Sequence, residues 1–517
     1  MTGKRKLPIG IQSFGKLRRE GYYYADKTLF AWQLSQEAGY FFLARPRRFG
    51  KSLFLDTLKE LFEGNESLFQ NLYIHDKWDW QQKHPVIRIS FADGVMQSRE
   101  ELDKRIHYLL ETNRKALNLP ESSAPDIAGE FAELIRHASQ HYNTGVVVLI
   151  DEYDKPILDN LTNETVALQM REGLKNLYSV LKDADPYLRF CFLTGVSKFS
   201  KVSLFSGLNN LNDISLNGQY GAICGYTQQD LKQVFSPEME GLDPGEVQRW
   251  YNGYQWLGEP VYNPFDLLLF FQQHKFQPYW FESATPSFLI NLLSERGFYT
   301  PQLAALQTNS SLLSQFDVQD ISTEALLFQT GYLTIKQAEE PITGMWVYTL
   351  GYPNHEVQTS LNEALLPAYG LPAPQAQQAR LQLLQALQNN DLNALELHFK
   401  TLFANLPHDW YRNNPIAQYE GHYASVFYSH LAALGMDITV EDASNNGKVD
   451  MAVRHQNQIW LFEFKVVEQL PEGKALQQLK DKGYADKYRS TNHQIQLIGV
   501  EFSKQQRQII GFEVEST

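Results

Sequence analysis

The chain has 517 residues, a length that predicts three domains or four, and 43% of the residues are hydrophobic, which is ample for packed cores. A net charge of −13 disfavours non-specific nucleic-acid binding over the whole surface, and only two cysteines, Cys191 and Cys224, exclude a disulfide framework and a cysteine zinc site. Since no apolar run approaches a transmembrane helix and the N-terminus lacks an apolar signal core, we predict a cytoplasmic protein without membrane contact.

A strand, a basic turn and a helix follow one another early in the chain. Residues 40–44, YFFLA, are typical of a buried strand, RPRRFGKS forms the turn, and apolar spacing from Leu53 predicts an amphipathic helix. This order presents backbone N–H groups to an anion, so Lys51 could reach the outer phosphates of a nucleotide and Ser52 could hold Mg²⁺. The pattern G-x-x-x-x-G-K-[ST] is incomplete because Arg45 replaces its first glycine. The alternative is a solvated basic turn.

Two later strands are expected to end beside that loop. The run 146–150, VVVLI, predicts a central parallel strand that ends at Asp151 and Glu152. Because ligands bind at the carboxyl ends of such strands, Asp151 would hold Mg²⁺ through water and Glu152 would orient or deprotonate the attacking water. The run 188–193 predicts a neighbouring strand whose last residue, Thr194, could sense the outer phosphate. The alternatives are an ordinary acidic turn and a strand-end cap.

These segments resemble a bacterial AAA-like ATPase family, part of the archaeal-type P-loop ATPases related to signal-transducing STAND proteins. The resemblance runs from about Leu7 to Tyr369 and is carried by FLARPRRFGKSLFLDTL, VVVLIDEYDKPI, FLTGVSKFSKVSLFSGLNNLNDIS, ICGYT, WYNGYQW and VYNPF. It implies a doubly wound P-loop domain at 1–226 that binds ATP and Mg²⁺. The resemblance implies the roles given above for Lys51, Ser52, Asp151 and Glu152, and the family is similar in having an arginine-rich turn. We therefore predict nucleotide contacts from Arg45, Arg48, Gly50, Lys51, Ser52, Asp151 and Thr194.

Residues 227–370 predict a helical lid and a winged-helix-like module. In the resembling family the region after position 227 lies next to the ATP site. The helix TEALLFQTGYL is followed by two strands, the order of a winged helix, which can enter a DNA groove. Because Lys336 is outnumbered by glutamates in this segment, we favour a structural or regulatory module over a DNA reader. Residues 371–408 predict a helical connector between domains.

The last predicted domain, 409–517, carries a second set of acids. Asp450 lies on one strand, and Glu463, Phe464 and Lys465 lie on the next. If the two strands pair as a hairpin, Asp450 and Glu463 meet at one end, and Lys465 shares the face of Glu463. The two carboxylates and the Phe464 carbonyl would then bind Mg²⁺ or Mn²⁺, while Lys465 would position or activate a water.

This pattern resembles the PD-(D/E)xK nuclease superfamily, whose domain has an α/β restriction-endonuclease-like fold. The chain departs from it at Lys448-Val449-Asp450, which has no proline. Glu420 matches a helix acid found in many members, and Gln478 and Tyr484 resemble residues of the helix after the catalytic strand. The alternative is a salt-bridged surface strand pair. Nearby cations could contact phosphate or form a solvated helix face, namely Lys480, Lys482, Lys487 and Arg489.

We therefore predict an α/β protein that binds and hydrolyses ATP and is fused to a metal-dependent DNA endonuclease, with the ATP state gating cleavage. Its partners would be ATP and nucleic acid, DNA in preference to RNA, and the sequence leaves a homo-oligomer open. The alternative is a nucleotide-dependent switch or scaffold whose nuclease domain is inactive.

Overall fold

The computed structural model describes residues 3–37, 39–198, 204–205, 210–284, 289–290, 292–293, 296, 299–310, 313, 316–317, 320–369, 373–404, 420–444, 447–489, 493–506 and 508–517. The chain divides into two compact units, residues 1–284 with 307–354 and residues 285–306 with 355–517. The finer division into four domains stays a prediction. Among the described helices, none is both long enough and apolar enough to span a bilayer.

A parallel sheet lies at the centre of the first unit. Its strands are β1 (Tyr40–Ala44), β2 (Val86–Ser90), β3 (Val146–Asp151), β4 (Leu188–Gly195) and β5 (Leu211–Asp213). The strand order is β2-β3-β4-β1-β5, and the adjacent strands are parallel. Both β1 and β3 are buried along their whole length, as expected for apolar runs covered on both faces. The predicted α/β architecture is confirmed, and β4 separates the loop strand from the acidic strand.

Seven helices precede or connect these strands in the described residues. They are α1 (Phe14–Arg19), α2 (Thr28–Gln36), α3 (Lys51–Phe62), α4 (Arg99–Ala116), α5 (Ile127–Tyr142), α6 (Lys155–Leu158) and α7 (Glu164–Asp183). Side-chain caps set where four of them begin; in α4 and α5, for example, Ser98 accepts from the Glu101 N–H and Asp126 accepts from the Gly129 N–H. Helix α3 packs against β3 and β4, which places its first turn at the sheet edge.

An aromatic cluster organises the region predicted as a lid. Its helices are α8 (Gln228–Gln233), α9 (Pro244–Tyr251), α10 (Pro264–Gln273) and α11 (Tyr279–Ala284). Tyr251, Phe270 and Phe271 are buried together there, and Tyr23 from the N-terminal segment joins them. Asn263 caps α10 by accepting from the backbone N–H two residues on, which fixes where this helix begins.

A helix and a hairpin form the module predicted to be winged. The elements are β6 (Leu306–Asn309), β7 (Phe316–Asp317), β8 (Asp320–Ile321), α12 (Thr323–Thr330), β9 (Thr334–Ile342) and β10 (Met345–Gly351). Helix α12 ends at Gly331, whose φ of 92° needs glycine. Strands β9 and β10 are antiparallel, in a sheet of order β6-β10-β9. The predicted succession of helix and two strands is present.

The second unit contains helices and a mixed sheet. Its helices are α13 (His355–Leu365), α14 (Ala373–Gln388), α15 (Leu392–Ala404), α16 (Glu420–Ala433) and α17 (Lys474–Asp481). Its strands are β11 (Asp437–Ser444), β12 (Gly447–His455), β13 (Gln458–Val467), β14 (Gln494–Ser503) and β15 (Ile509–Ser516). They follow one another in sheet order, antiparallel except for the parallel pair of β13 and β14. This architecture is consistent with the nuclease-like α/β fold predicted for the C-terminal part.

Candidate functional site

The turn between β1 and α3 has the backbone of an anion-binding loop. Arg48 and Gly50 are left-handed, with φ of 70° and 92°, and Gly50 is the N-cap of α3. Left-handed residues set among right-handed ones turn successive N–H groups toward one point, and the helix adds its positive end. Arg48 is not glycine, so its positive φ is strained, and such strain concentrates at functional sites.

Arg45 takes a structural position instead of the one expected of a phosphate ligand. Its guanidinium is buried and donates to the carbonyls of Ala44, Ser215 and Tyr220 at 2.8, 2.9 and 3.1 Å. It also lies over the Trp256 ring, 4.1 Å from the centroid. Burial lowers the pKa of the group to about 10. Its predicted contact with ATP stays a prediction, and the placement indicates that it braces the loop.

Lys51 is held between the loop and the acidic strand. Its Nζ donates to the Pro46 carbonyl at 3.1 Å and lies 3.6 Å from Glu152 Oε1. The residue is 4% exposed. A buried ammonium with one carbonyl and one carboxylate has donors left for another anion, since it carries three N–H bonds. The two predicted residues are thus brought together at the end of β3.

Ser52 and Asp151 also meet, as the sequence predicted. Burial raises the pKa of Asp151, and a hydrogen bond with the Ser52 side chain opposes that rise. Asp151 Oδ1 is buried and has no hydrogen-bond partner among the described residues. An unpartnered buried carboxylate oxygen beside a serine hydroxyl suits a hard cation such as Mg²⁺, which prefers oxygen ligands. The residues present therefore fit the metal that the fold implies.

Glu152 stands on a strained turn that a neighbouring acid stabilises. Its φ is 51°, and the next residue donates its N–H to the Thr194 carbonyl at 3.1 Å. The Asp154 carboxylate accepts from the Val196 and Ser197 N–H groups at 3.1 and 2.6 Å. Burial, followed by the Glu152 charge, raises the Asp154 pKa to about 6. This clamp ties the end of β3 to the end of β4.

Thr194 is fully buried, and its hydroxyl donates to the Leu43 carbonyl at 3.0 Å. It therefore cross-links β4 to β1 behind the loop. The role of outer-phosphate sensor stays a prediction for this residue, because the structure places its hydroxyl on a strand carbonyl. Asp154 was missed by the sequence analysis. The available signal was a further acid three residues after Asp151, at the same strand end.

A cleft of about 490 Å³ opens over the loop. Its polar lining includes Arg48, Lys51, Ser52 and Glu152, and its apolar lining includes Pro8, Ile11, Tyr226, Pro264, Phe265 and Leu268. The Arg48 guanidinium lies over the Phe265 ring, 4.7 Å from its centroid. Charged and apolar groups in one cleft suit the two halves of a nucleotide, its phosphates and its base.

The second site forms where β12 and β13 pair. Met451 pairs with Phe462 and the strands are antiparallel, so the predicted hairpin is present. Asp450 Oδ2 accepts from the Phe464 N–H at 2.8 Å, and Lys465 Nζ lies 3.2 Å from Glu463 Oε1. The three side chains named for catalysis therefore gather at one end of the hairpin. Phe464 itself is buried.

The surroundings of Glu463 raise the pKa of its carboxyl group. The residue is 1% exposed, and its Oε2 has no hydrogen-bond partner among the described residues. Burial first, and the Asp450 charge second, raise its pKa to about 7, while Lys465 opposes the rise. A cation at this position would relieve both effects, so the donor set fits Mg²⁺ or Mn²⁺. No group of three or more His, Cys, Asp or Glu is arranged for a metal in the described part of either site.

The auxiliary residues differ in their placement. Gln478 on α17 donates its amide to Glu463 Oε1, which joins the helix to the acidic site. Tyr484 is buried, and its hydroxyl lies 2.8 Å from the position that a Cβ at Gly447 would take. Glu420 begins α16, but its side chain lies outside the described part of the structure.

The cations near this site are mostly matched by acids. Lys487 lies 2.5 Å from Asp442, and Arg489 lies 3.0 Å from Asp486. Lys480 pairs with Glu515. Because such pairs lower the local positive charge, the predicted contact of these cations with phosphate would need the pairs to open.

Comparisons with known proteins match two parts of the chain to known families. A family described as "Predicted AAA-ATPase" matches residues 8–205, and the PD-(D/E)XK nuclease superfamily matches residues 418–512. An Azotobacter chroococcum mcd 1 protein described as "Uncharacterized protein in vnfD 5'region" is 57% identical over 515 residues, 99% of each chain. The crystal structure of Cdc6p from Pyrobaculum aerophilum covers 70% of this chain and 96% of its own at 11% identity, with a TM-score of 0.25 that is too low to support an inference. The chain therefore belongs to a family that joins a predicted AAA-ATPase domain to a domain of the PD-(D/E)XK nuclease superfamily.

Proposed function

We propose that the first unit binds ATP with Mg²⁺ in the cleft over the phosphate loop and hydrolyses it. The observation that carries this proposal is the unpartnered, buried Asp151 Oδ1 beside Ser52, a residue that lines a cleft with both charged and apolar side chains. Ser52 and Asp151 would hold the cation, directly or through water.

Lys51 and Glu152 would exchange partners when the nucleotide binds. In the structure they lie 3.6 Å apart. Lys51 would move from Glu152 and the Pro46 carbonyl to the outer phosphates, which are stronger acceptors than a neutral carbonyl. Glu152, released from that ion pair, would then accept a hydrogen bond from water and orient it for attack. The strained turn at Glu152 would keep the carboxylate facing the cleft.

The second unit is proposed to hydrolyse phosphodiester bonds in DNA with Mg²⁺ or Mn²⁺. The supporting observation is the buried Glu463 Oε2, which lacks a partner where Asp450 and Lys465 also gather. Asp450 and Glu463 would hold the cation, together with the Phe464 carbonyl. A bound divalent cation lowers the pKa of water and stabilises negative charge on a phosphate.

Lys465 would position the water or hold the charge of the scissile phosphate. It is 26% exposed at its side chain, so it can reach a substrate while keeping its contact with Glu463. The Asp450 carboxylate, anchored on the Phe464 N–H, would keep a fixed orientation. We further propose that the ATP state gates cleavage and that the protein acts in the cytoplasm.

A cleavage assay on the full chain tests this function. Lys465→Ala and Asp450→Asn should each abolish cleavage of DNA in Mg²⁺ or Mn²⁺, and both should retain ATP binding. Lys504→Ala is the matched control, because Lys504 is half exposed and pairs with Glu468 away from the site. If both site variants cleave DNA at the native rate, the nuclease assignment is wrong. If the native chain cleaves RNA and not DNA, the proposed substrate class is wrong.

A nucleotide-dependent switch or scaffold with an inactive nuclease domain is the second candidate. The ion pairs of Lys480, Lys487 and Arg489 favour it, since a surface neutralised in this way attracts a polyanion weakly. In that case ATP binding would persist and the cleavage assay would show no activity that depends on Asp450.

A further inference from the structure

A buried glutamate caps the helix that reaches the acidic site. Glu501 on β14 is 3% exposed. Its Oε2 accepts from the Glu472 N–H at 2.5 Å, and its Oε1 accepts from the N–H groups of Lys474 and Ala475 at 2.6 and 3.3 Å. A carboxylate at this place satisfies N–H groups that the helix itself leaves unpaired, and it complements the positive helix end. Glu501 therefore fixes where α17 begins.

A glycine on the same strand brings the helix backbone close to the sheet. Gly499 is paired with Glu463 in the parallel register of β13 and β14. A Cβ at Gly499 would lie 2.3 Å from the Leu476 backbone nitrogen, a distance that only the absence of a side chain permits. Helix α17 consequently rests directly on the strand beside Glu463. Ala475 and Leu479, buried on the helix, complete the packing.

Helix α17 contacts the proposed metal ligand Glu463 through the side chain of Gln478. Gln478 lies one turn after Ala475 and donates its amide to Glu463 Oε1. This bond leaves Glu463 Oε2 as the oxygen without a partner among the described residues. A carboxylate held by one oxygen presents the other in a fixed direction, which is how outer contacts orient metal ligands.

We propose that Glu501 is a positioning residue of the nuclease site. By capping α17, it holds the Gln478 amide on Glu463 and so orients the carboxylate that would bind the cation. Glu501 acts through the helix and is assigned no contact with cation or nucleic acid. The inference rests on the proposed metal-dependent nuclease function, but the cap and its effect on α17 can be measured without a metal.

Mn²⁺ binding to the full chain, measured by calorimetry without nucleotide, is the first test. The part of the native binding heat that is absent in Asp450→Asn is assigned to Mn²⁺ binding at this site. Glu501→Gln should weaken that binding about 10-fold, the scale seen when an outer contact of a metal ligand is removed. Glu513→Gln is the control, because Glu513 is exposed near the start of α17 and the variant changes the same charge. Native affinity in Glu501→Gln would overturn the proposal.

A double-mutant cycle separates positioning from general stability. If Glu501 acts through Gln478, then Glu501→Gln combined with Gln478→Ala should bind Mn²⁺ no more weakly than Gln478→Ala alone. A purely structural cap would instead give two losses that add. Additive losses would therefore refute the route through Gln478.

Hydrogen exchange of the metal-free chain makes the test independent of the nuclease function. Residues 472–481 should exchange faster in Glu501→Gln than in the native chain, and at the native rate in Glu513→Gln. Unchanged exchange in Glu501→Gln would refute the cap. If the native chain shows no Asp450-dependent Mn²⁺ binding, the proposed nuclease function fails. The hydrogen-exchange rates of residues 472–481 then decide by themselves whether Glu501 caps α17. Should Glu501→Gln not fold, Glu501→Asp, which keeps the charge but is one methylene shorter, replaces it.

Discussion

Replacing Glu463 by glutamine should make the second unit more stable at high pH. Folding raises the pKa of this carboxyl from 4.5 to about 7, chiefly through burial. The folded state therefore holds the proton more tightly than the unfolded state, so stability falls as the pH rises above 4.5 and the loss is complete above pH 7. Glutamine carries no charge at any pH and removes this loss.

The size of the effect follows from the pKa difference. A rise from 4.5 to about 7 corresponds to a full loss of about 3 kcal/mol. About 1.4 kcal/mol of it is already present at pH 5.5, so a further ~2 kcal/mol should develop between about pH 5.5 and about pH 8.5. The stability of Glu463→Gln relative to the native chain should grow by that amount over this range.

Hydrogen exchange of the β13 amides in the metal-free chain measures this change locally, which is preferable because a chain of two units need not unfold in one step. Glu468→Gln, which changes the same charge at an exposed acid just after β13, is the control variant. A stability difference for Glu463→Gln that stays constant over the same range would refute the assigned cause, because a carboxyl group whose pKa is raised mainly by burial must lose stability as it ionises.

Three changes test the first unit. Lys51→Ala should abolish ATP binding in a fluorescent-nucleotide titration, while Lys59→Ala on the same helix, whose partner is Glu63, should bind normally, and equal affinities would contradict the loop assignment. Glu152→Gln should bind ATP normally but should no longer release phosphate from it. Continued ATP hydrolysis by this variant would show that Glu152 is not the residue that orients the attacking water. Arg45→Ala should lower the unfolding free energy of the first unit by about 3 kcal/mol in denaturant melts, because three buried carbonyls lose their donor at about 1 kcal/mol each. A melt unchanged by that substitution would show that water replaces the guanidinium.

Local sequence patterns were enough to predict the strands that carry both candidate sites. The apolar run before RPRRFGKS and the run before Asp151 predicted β1 and β3, because buried parallel strands are short and continuously apolar. The two-residue spacing of Glu463 and Lys465 on a predicted strand likewise predicted that they share a face, since side chains on a strand repeat every two residues. These inferences needed no knowledge of distant contacts.

The partners of individual side chains could not be predicted in the same way. Arg45 looked like a phosphate ligand in sequence, but the fold supplies Ser215, Tyr220 and Trp256 around it. Thr194 sits at a strand end as predicted, yet the neighbouring β1 gives its hydroxyl the Leu43 carbonyl. Both partners come from segments that are remote in sequence, so no local pattern contains them.

The residue types, their spacing and the order of the short elements determined by themselves that this chain holds a phosphate loop and a D…E-x-K hairpin, because helix and strand periodicity act over a few residues. Tertiary structure decided that β4 stands between β1 and β3 and that Glu501 holds α17 over Glu463. Those features depend on pairing between distant segments, where burial of the whole sheet outweighs any local preference.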